Sequence, residues 1–364
     1  MHYRQLLPVI LLLTLFLTAC STPETIEVTR IVVATPTSAP AANTDMEENI
    51  SILDQVRARG HLICGSRDTL VGFGYLDENG QPTGFDIDLC RAVAVAVLGD
   101  ADAIEVVNLA TAERGPALTS RQVDVLARTA TWTSSREAQW GNFTLITFYD
   151  GQGFMVGNDS GITSINDLDN QTICVNTGTT TETNLQNMAR QRGLNIEIVA
   201  FEGAGVYDAY EAGECAVATS DKSALLSRRS TFANPNAHII LDETISKEPL
   251  TPAVPAGDDE WLDIVRLVLY VLVNAEELNV TSQNVTEMLD SDNIDIRRML
   301  GVEQDFGQAQ LRLNQDFAVD IIRDVGNYGE IYARYFGPNS DLPLERGPNA
   351  LWTDGGLIYA PPLK

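Results

Sequence analysis

Histidine and positive charge are both scarce in this sequence, and each scarcity excludes a class of function. The three histidines, His2, His61 and His238, lie far apart along the chain, so neither a histidine-rich metal site nor a Ser-His-Asp triad is expected. Lys and Arg number 24 against 50 Asp and Glu, and the formal charge of −26 argues against nucleic-acid binding because it repels phosphate backbones. Hydrophobic residues make up 44% of the 364 residues, as in globular domains, and the composition favours a binding protein over an enzyme.

The N-terminal hydrophobic run is too short to cross a membrane. Leu6–Leu17 follows Arg4 and is apolar at all but one position, whereas a membrane helix needs roughly 20 such residues, so the run is typical of a signal peptide. It leads into Leu17–Ser21, which resembles a bacterial lipobox with Cys20 as the lipidated residue. The alternative is an ordinary signal peptide with an incidental cysteine. Residues 1–19 are therefore predicted to be a lipoprotein signal peptide.

The segment after the signal peptide differs in composition from the rest of the chain. Residues 20–48 are rich in Pro, Ser, Thr and Ala and contain almost nothing to bury, which predicts a disordered tether. A chain lipidated at Cys20 is held outside the cytoplasmic membrane by this tether. The expected location is therefore extracytoplasmic, in the periplasm or at the cell surface, with the membrane contacted through the N-terminal lipid anchor.

Four further cysteines remain, Cys64, Cys90, Cys174 and Cys215, and an even count in an exported chain indicates disulfides. Three pairings are possible. Local context favours Cys64–Cys90 and Cys174–Cys215, since the first pair joins a strand to the helix after a hairpin and the second joins two short apolar strands. A zinc site is the alternative, and the absence of a CxxC pair argues against it.

Short apolar segments alternate with helical stretches along the chain. Helical spacing over Ile52–Gly60 ends at a glycine, Asn79 and Gly80 predict a hairpin turn, and Asp86 is expected to cap a helix that runs to about Leu98. Strands are predicted at 61–65, 104–109, 123–127, 153–156, 172–175, 196–201 and 215–220. This alternation predicts an α/β fold with parallel sheets and flanking helices.

Two acidic pairs hint at calcium binding. Asp86 and Asp88, like Asp290 and Asp292, are separated by one residue, as in a calcium-binding loop. Neither pair continues with the glycine at the sixth position and the glutamate at the twelfth that such a loop requires. Helix caps and solvated acids explain both pairs better, and no metal site is predicted.

Two polar segments follow predicted strands and are suited to an anionic group. Gly178–Glu182 opens a helix and presents free backbone N–H groups and hydroxyls, although a plain threonine N-cap explains it equally well. In Val123–Arg136 a strand runs into hydroxyl residues and then Arg136. A guanidinium binds a carboxylate through two parallel hydrogen bonds. The alternative for Arg136 is a surface arginine paired with a neighbouring acid.

Several separate blocks of the sequence carry a family resemblance. The first set is Gly84–Ala94, Thr129–Arg136, Phe148–Val156 and Gly178–Glu182, and the second is Ser246–Leu250, Val273–Glu277 and Leu351–Pro362. The first set resembles the extracytoplasmic solute-binding proteins of polar amino-acid ABC transporters, and the second narrows the resemblance to the general L-amino-acid-binding subfamily. The resemblance covers about residues 50 to 364, and both favoured disulfides suit that subfamily.

The resemblance implies a two-lobed periplasmic-binding-protein fold of type II, with two parallel or mixed sheets, flanking helices and a two-strand hinge. The ligand is expected in the cleft between the lobes. The chain is expected to leave lobe 1 near 150–153 and to return near 246–249. Lobe 1 then contains 49–151 and 249–364, and lobe 2 contains 152–248.

The resemblance also assigns binding roles to individual residues. Arg136 aligns with the arginine that grips the ligand α-carboxylate, and Thr131 and Thr180 align with hydroxyl residues that assist it. Thr129 aligns with the position whose carbonyl accepts a hydrogen bond from the ligand ammonium. Asp221 aligns with the acid that pairs with that ammonium. An amino-acid zwitterion is thus expected to bridge the two lobes.

Two positions depart from the pattern of relatives and concern the ligand side chain. Arg67 and Leu70 stand where relatives often carry an Asp or Asn and an aromatic residue. Binders of basic side chains use an acid and aromatic residues there. Arg67 therefore argues against an arginine or lysine specialist and favours acidic or amide side chains.

The function implied by the resemblance is delivery of free L-amino acids, over a broad range, to the permease subunits of an ABC transporter. We expect a monomer that is not an enzyme and that needs no cofactor. Two alternatives use the same fold. One is a dehydratase-like enzyme, whose acid or base is then an Asp or Glu in the cleft. The other is a sensor subunit that passes its ligand to a separate receptor.

Overall fold

Two five-stranded sheets and the helices around them make up the part of the chain that the computed structural model describes, residues 51–364. The predicted signal peptide, the lipidation at Cys20 and the tether lie outside these described residues. The strands are β1 (Leu62–Ser66), β2 (Thr69–Leu70), β3 (Gly74–Leu76), β4 (Pro82–Thr83), β5 (Ile104–Asn108), β6 (Val125–Leu126), β7 (Asn142–Phe143), β8 (Phe148–Asp150), β9 (Gln152–Gly157), β10 (Thr172–Asn176), β11 (Glu197–Phe201), β12 (Val217–Asp221), β13 (His238–Ile240), β14 (Glu248–Leu250) and β15 (Ala253–Val254).

Helices cover the sheets and form most of the C-terminal part of the chain. They are α1 (Ile52–Arg59), α2 (Phe85–Leu98), α3 (Arg114–Thr119), α4 (Ser134–Gln139), α5 (Thr180–Arg192), α6 (Gly205–Glu211), α7 (Lys222–Ser230), α8 (Asp259–Glu277), α9 (Val285–Met288), α10 (Ile294–Met299), α11 (Phe317–Asp324) and α12 (Tyr328–Phe336). Short 3₁₀ turns lie at Thr111–Glu113, Ile165–Leu168, Pro235–Ala237, Gly347–Asn349 and Trp352–Asp354. Within residues 51–364, no helix has the length and apolarity that crossing a membrane requires.

The two large sheets share one strand arrangement. Their orders are β5-β1-β6-β15-β7 and β11-β10-β12-β9-β13. In each sheet the first three strands are parallel and the last two run antiparallel to them. The expectation of parallel sheets is therefore correct only for three strands of each. The others differ because β9 and β15 are entered directly from crossover strands, with no helix to reverse the chain direction.

The crossover between the sheets is a two-stranded antiparallel ladder of β8 and β14. Pro249 lies opposite Tyr149 and has no N–H to donate, so the polar backbone groups of Tyr149 face away from β14. Asn349 takes up both of them. The Tyr149 N–H donates to Asn349 Oδ1 at 2.6 Å, and Asn349 Nδ2 donates to the Tyr149 carbonyl at 3.0 Å. A residue near the C-terminus thus completes the edge of the crossover.

Separate hydrophobic cores lie on the two faces of each sheet. Along β9, Phe154 and Val156 point into one core and Met155 into another, as the twofold alternation of a strand requires. The largest core lies on the first sheet, where α2, α8, α11 and α12 pack together around a group of aromatic rings. Phe73, Phe85, Phe148 and Phe336 form this group, with ring centroids 4.8–6.4 Å apart. Such pairs add to the stabilisation that burial provides.

The helix predicted after the hairpin is α2, but its N-cap is Gly84 and not Asp86. The hairpin itself is confirmed, with β3 and β4 antiparallel. Gly84 has φ of 132°, and a Cβ there would lie 2.2 Å from the Phe73 carbonyl oxygen, so only glycine fits. The Asp86 side chain instead turns away from the helix end and accepts a hydrogen bond from the Thr129 N–H at 2.9 Å. The prediction of an aspartate cap was wrong because a tertiary partner takes the carboxylate.

Each lobe contains one of the favoured disulfides. Cys64 on β1 is joined to Cys90 on α2, with Cα atoms 6.2 Å apart. Cys174 on β10 is joined to Cys215, just before β12, with Cα atoms 5.7 Å apart. Both separations are ordinary for a disulfide. The pairing favoured from local context is thus the pairing that the structure contains.

Candidate functional site

A cleft of about 680 Å³ lies between the two sheets, within the range of roughly 300–1,000 Å³ usual for small-molecule sites. Its walls are built from the chain that follows the carboxyl ends of the six parallel strands, three in each sheet. Ligand sites of open α/β sheets form at such ends. The first-sheet wall contains Arg67, Thr69, Thr111, Arg114, Arg128, Thr129, Thr131 and Arg136. The second-sheet wall contains Asn176, Thr179, Thr180, Thr181, Gly203, Ala204, Tyr207, Ser220, Asp221, Ala224 and Arg228.

All six binding residues predicted from the sequence lie on this cleft. They are Arg67, Thr129, Thr131 and Arg136 on one wall, and Thr180 and Asp221 on the other. Neither His61 nor His238 is among the lining residues. His61 Nε2 lies 3.1 Å from Glu105 Oε2, and His238 Nδ1 lies 2.9 Å from the Tyr210 hydroxyl.

Arg136 is held firmly by its own wall. It lies on α4, and its side chain is 7% exposed. Its Nη1 donates to the Thr131 carbonyl at 2.9 Å, and its guanidinium lies 4.7 Å from the ring centroid of Trp140, a cation–π contact. Burial lowers the pKa of Arg136, while the nearby carboxylates of Glu248 and Asp221 raise it. The guanidinium is therefore fixed in direction and has donors left for a ligand.

Thr129 adopts an unusual backbone conformation beside this arginine. Its φ of 41° lies in the left-handed region, which β-branched residues rarely enter. The hydrogen bond from its N–H to Asp86 holds this conformation. Burial raises the pKa of Asp86 to about 6, and the Thr129 N–H opposes that shift. The strained turn carries the chain from β6 into the cleft.

The Gly178–Glu182 segment is a helix N-terminus at the edge of the cleft. Thr179 is the N-cap of α5, and its Oγ1 accepts from the Glu182 N–H at 3.1 Å. Thr180 is the first helical residue, and its hydroxyl donates to Glu248 Oε2 at 2.9 Å. The threonine cap is thus real, and it places Thr180 at the positive end of the helix dipole. Across the cleft, Thr180 Oγ1 lies 3.4 Å from Thr131 Oγ1.

Asp221 ends β12 and faces Arg136 from the second wall. Within residues 51–364 its carboxylate accepts no hydrogen bond. Burial raises the pKa of Asp221 well above its usual value, and the nearby carboxylates of Asp150 and Glu248 raise it further. The charges of Arg67 and Arg136 only partly offset this effect. The carboxylate is therefore short of a cationic partner.

The sequence analysis missed four lining residues, Arg114, Arg128, Arg228 and Tyr207. Arg128 could have been found, since it directly follows an apolar strand as Arg67 does. Arg228 lies seven residues after Asp221, the residue before α7, so helical spacing puts the two on one side of that helix. Arg114 and Tyr207 carry no comparable local signal.

A cleft between two α/β lobes, with a buried cation on one wall and a buried anion on the other, defines a two-lobed solute-binding protein. The sequence matches the bacterial extracellular solute-binding proteins, family 3, over residues 62–338. The chain belongs to this family.

Relatives of known name cover nearly the whole of the described chain. It is 47% identical to the general L-amino acid-binding periplasmic protein AapJ of Rhizobium johnstonii, over 86% of this chain and 92% of AapJ. It is 46% identical to the glutamate/glutamine/aspartate/asparagine-binding protein BztA of Rhodobacter capsulatus, over 86% and 94%. A solved periplasmic binding protein from Brucella ovis with glutathione bound is 44% identical and superimposes with a TM-score of 0.84, covering 86% of this chain and 99% of that one. The expected family and two-lobed fold are confirmed.

Proposed function

We propose that this protein binds free L-amino acids outside the cell membrane and delivers them to an ABC permease. The observation that carries the proposal is the placement of Arg136 and Asp221 on facing walls of one cleft. A zwitterion needs one cation and one anion held apart, and both groups here are buried and lack an ion-pair partner among residues 51–364. The names of the relatives AapJ and BztA support the same ligand class.

The roles of the six predicted residues follow from this arrangement. Arg136 binds the ligand α-carboxylate through the donors that Thr131 leaves free, with the Thr131 hydroxyl and the α5 N-terminus at Thr180 completing that site. Asp221 and the Thr129 carbonyl receive the ammonium group. Arg67 faces the ligand side chain. Because these groups come from both walls, ligand binding favours the closed cleft.

The lobe boundaries proposed here place 49–151 and 249–364 in lobe 1 and 152–248 in lobe 2. Two observations support them. The β8–β14 ladder is the crossover between the sheets, and side-chain contacts cross the cleft on either side of it. Ser227 Oγ donates to the Val71 carbonyl at 2.8 Å, and the hydroxyls of Thr131 and Thr180 lie 3.4 Å apart.

The chain is further proposed to be a monomeric lipoprotein, anchored through Cys20, that acts as a binding protein and not as an enzyme. Its N-terminal sequence supports the anchor. Cys20→Ala should release the protein from the membrane in soluble form. Membrane retention of that variant after removal of the signal peptide would contradict lipid anchoring.

A second candidate ligand is a small peptide such as glutathione. The solved relative from Brucella ovis holds glutathione, and this cleft is lined by five arginines against one acid, Asp221. A tripeptide with two carboxylates uses more of those cations than a neutral amino acid does.

A thermal-shift screen of the twenty L-amino acids and glutathione tests the proposal, because a ligand that binds only the folded state raises the melting temperature. Each responding amino acid should be compared with its D-enantiomer, its decarboxylated amine and its deaminated acid. All three analogues should give much smaller shifts, since each loses or misplaces one of the two charged contacts. No response to any amino acid, or an equal response to the decarboxylated amine, would contradict the proposal.

A further inference from the structure

Three arginines on the cleft have buried guanidinium nitrogens that lack a hydrogen-bond partner. Arg67 Nε, Arg128 Nη1 and Arg228 Nε account for three of the six such side-chain atoms found within residues 51–364. Arg128 is only 6% exposed. A buried donor without a partner is costly, and a buried charged donor more so. Three such donors on one cavity indicate a ligand that supplies the acceptors.

The three side chains come from different elements and converge. Arg67 follows β1, Arg128 follows β6, and Arg228 lies on α7 of the second wall. Burial lowers the pKa of Arg67, and the charge of Arg228 adds to that effect. Burial also lowers the pKa of Arg128, and the charge of Arg67 adds to it. The guanidiniums are therefore close enough to repel one another.

The charges that could neutralise this group are already few. None of the three arginines forms an ion pair within the described part of the chain. Asp86 lies near Arg67 and Arg128, but its Oδ2 is occupied by the Thr129 N–H. Arg136 and Asp221 are the groups assigned to the ligand's carboxylate and ammonium. Three cations against one nearby carboxylate leave an excess of positive charge at the side-chain end of the cleft.

We propose that Arg67, Arg128 and Arg228 form a subsite for a second carboxylate of the ligand, so that the protein prefers amino acids whose side chain ends in an anion. This proposal rests on the proposed function, since it assumes that Arg136 and Asp221 hold the amino-acid group. Free dicarboxylic amino acids and short γ-glutamyl peptides share the required chemistry.

Each guanidinium is anchored by one contact and offers others. Arg128 Nε donates to the Leu109 carbonyl at 2.6 Å, which leaves Nη1 without a protein acceptor. Arg228 Nη2 donates to Thr69 Oγ1 at 3.3 Å, and its guanidinium lies 5.1 Å from the Tyr207 ring centroid. Planar forks positioned in this way suit a carboxylate better than a neutral amide, because both carboxylate oxygens accept.

The subsite also joins the two walls. Arg67 and Arg128 belong to the first-sheet wall and Arg228 to the second, and the contact between Arg228 and Thr69 already crosses the cleft. A carboxylate between them replaces repulsion among cations with attraction from both sides. An acidic ligand is therefore expected to favour the closed cleft more than a neutral one of the same shape.

The test is calorimetric titration of the full protein at pH 7 with L-glutamate and L-glutamine, which differ mainly in the second charge. Glutamate should bind at least about tenfold more tightly, as charge-assisted bonds exceed neutral ones by roughly that factor. Arg67→Gln and Arg228→Gln should each weaken glutamate binding about tenfold and change glutamine binding less than about threefold. Arg190→Gln, an exposed arginine on α5, serves as the matched control and should change neither.

Every outcome of this titration is informative. Equal binding of glutamate and glutamine, or equal losses for both ligands in Arg67→Gln and Arg228→Gln, overturns the subsite and leaves the proposed function standing. Failure of every amino acid to bind overturns both. Titration with γ-glutamylglycine separates the two sources of the carboxylate. Tighter binding of the peptide than of glutamate assigns the subsite to peptides, and the reverse assigns it to free amino acids.

Discussion

β6 and β12 occupy the same place in their sheets, yet the segments that follow them carry opposite charges. Each is the third strand in its sheet order and the last of the three parallel strands. The chain after β6 leads to Arg136, and β12 itself ends at Asp221. One strand arrangement, used twice, thus presents a cation on one wall and an anion on the other.

The two charges are also held differently. Arg136 is anchored within its own lobe by the Thr131 carbonyl and by Trp140. Asp221 receives no hydrogen bond within residues 51–364, and its nearest charges include Asp150 and Glu248, which repel it. The comparison indicates that the carboxylate-binding half of the site exists before the ligand arrives. The ammonium-binding half is completed by the ligand.

The disulfides test how far the equivalence of the lobes extends, and their loss should have the largest effect. Cys64 on β1 and Cys174 on β10 lie in equivalent second strands, and the two bridges close loops of 26 and 41 residues. Replacing both cysteines of either pair with alanine should lower the free energy of unfolding by about 3–4 kcal/mol, with the longer loop costing slightly more. Urea unfolding measures both losses. A loss below about 1 kcal/mol in one lobe only would break the equivalence.

Arg136→Ala should have the next largest effect and should act on ligand binding. The variant loses a buried, bidentate donor to the α-carboxylate and leaves that carboxylate without a cation, so affinity should fall about a hundredfold. Calorimetric titration with the best ligand measures the change. Arg136→Lys should recover part of the loss because it keeps the charge but not the fork. Arg190→Ala is the surface control, and binding by Arg136→Ala at the parental affinity would show that the arginine is not part of the site.

The sequence predicted the first-wall site because its residues are close together in the chain. Thr129, Thr131 and Arg136 lie within eight positions in one block of family resemblance. Arg228 could not be assigned in the same way, because its place beside Arg67 depends on the packing of two lobes. The two arginines are 161 positions apart in the sequence, and no local pattern encodes that contact. Asp86 was misassigned for a related reason, as a residue 43 positions away takes its carboxylate.

Asp221→Asn should have a smaller effect on affinity and a distinct pH signature. Burial and the neighbouring acids raise the pKa of Asp221, so in the ligand-free protein the carboxylate takes up a proton as the pH falls through that raised pKa. The ligand ammonium favours the ionised form, and the parental affinity should therefore decrease as the pH falls from 8 to 5. Asp221→Asn should weaken binding about tenfold to thirtyfold at pH 8 and should lose much of this pH dependence.

Titration of both proteins across this pH range gives the measurement. Asp150→Asn provides the control for the neighbouring acid, whose pKa is raised by burial to about 6. That variant removes a repelling charge without removing the ammonium partner, and it should retain binding. An Asp221→Asn variant with the same pH profile as the parent would show that another group accepts the ammonium.

The hydroxyls of Thr131 and Thr180 face each other across the cleft and should differ in importance. The Thr180 hydroxyl already donates to Glu248 Oε2 at 2.9 Å, so its proton is not available to a ligand carboxylate. The Thr131 hydroxyl has only the 3.4 Å contact with Thr180 Oγ1 and can turn its proton to the ligand. Thr131→Val should therefore weaken binding about fivefold to tenfold, and Thr180→Val no more than about threefold, since the α5 N-terminus keeps its backbone N–H groups. Thr183→Val, an exposed position on the same helix, is the control in the titration, and a larger loss for Thr180→Val than for Thr131→Val would assign the carboxylate to the second wall.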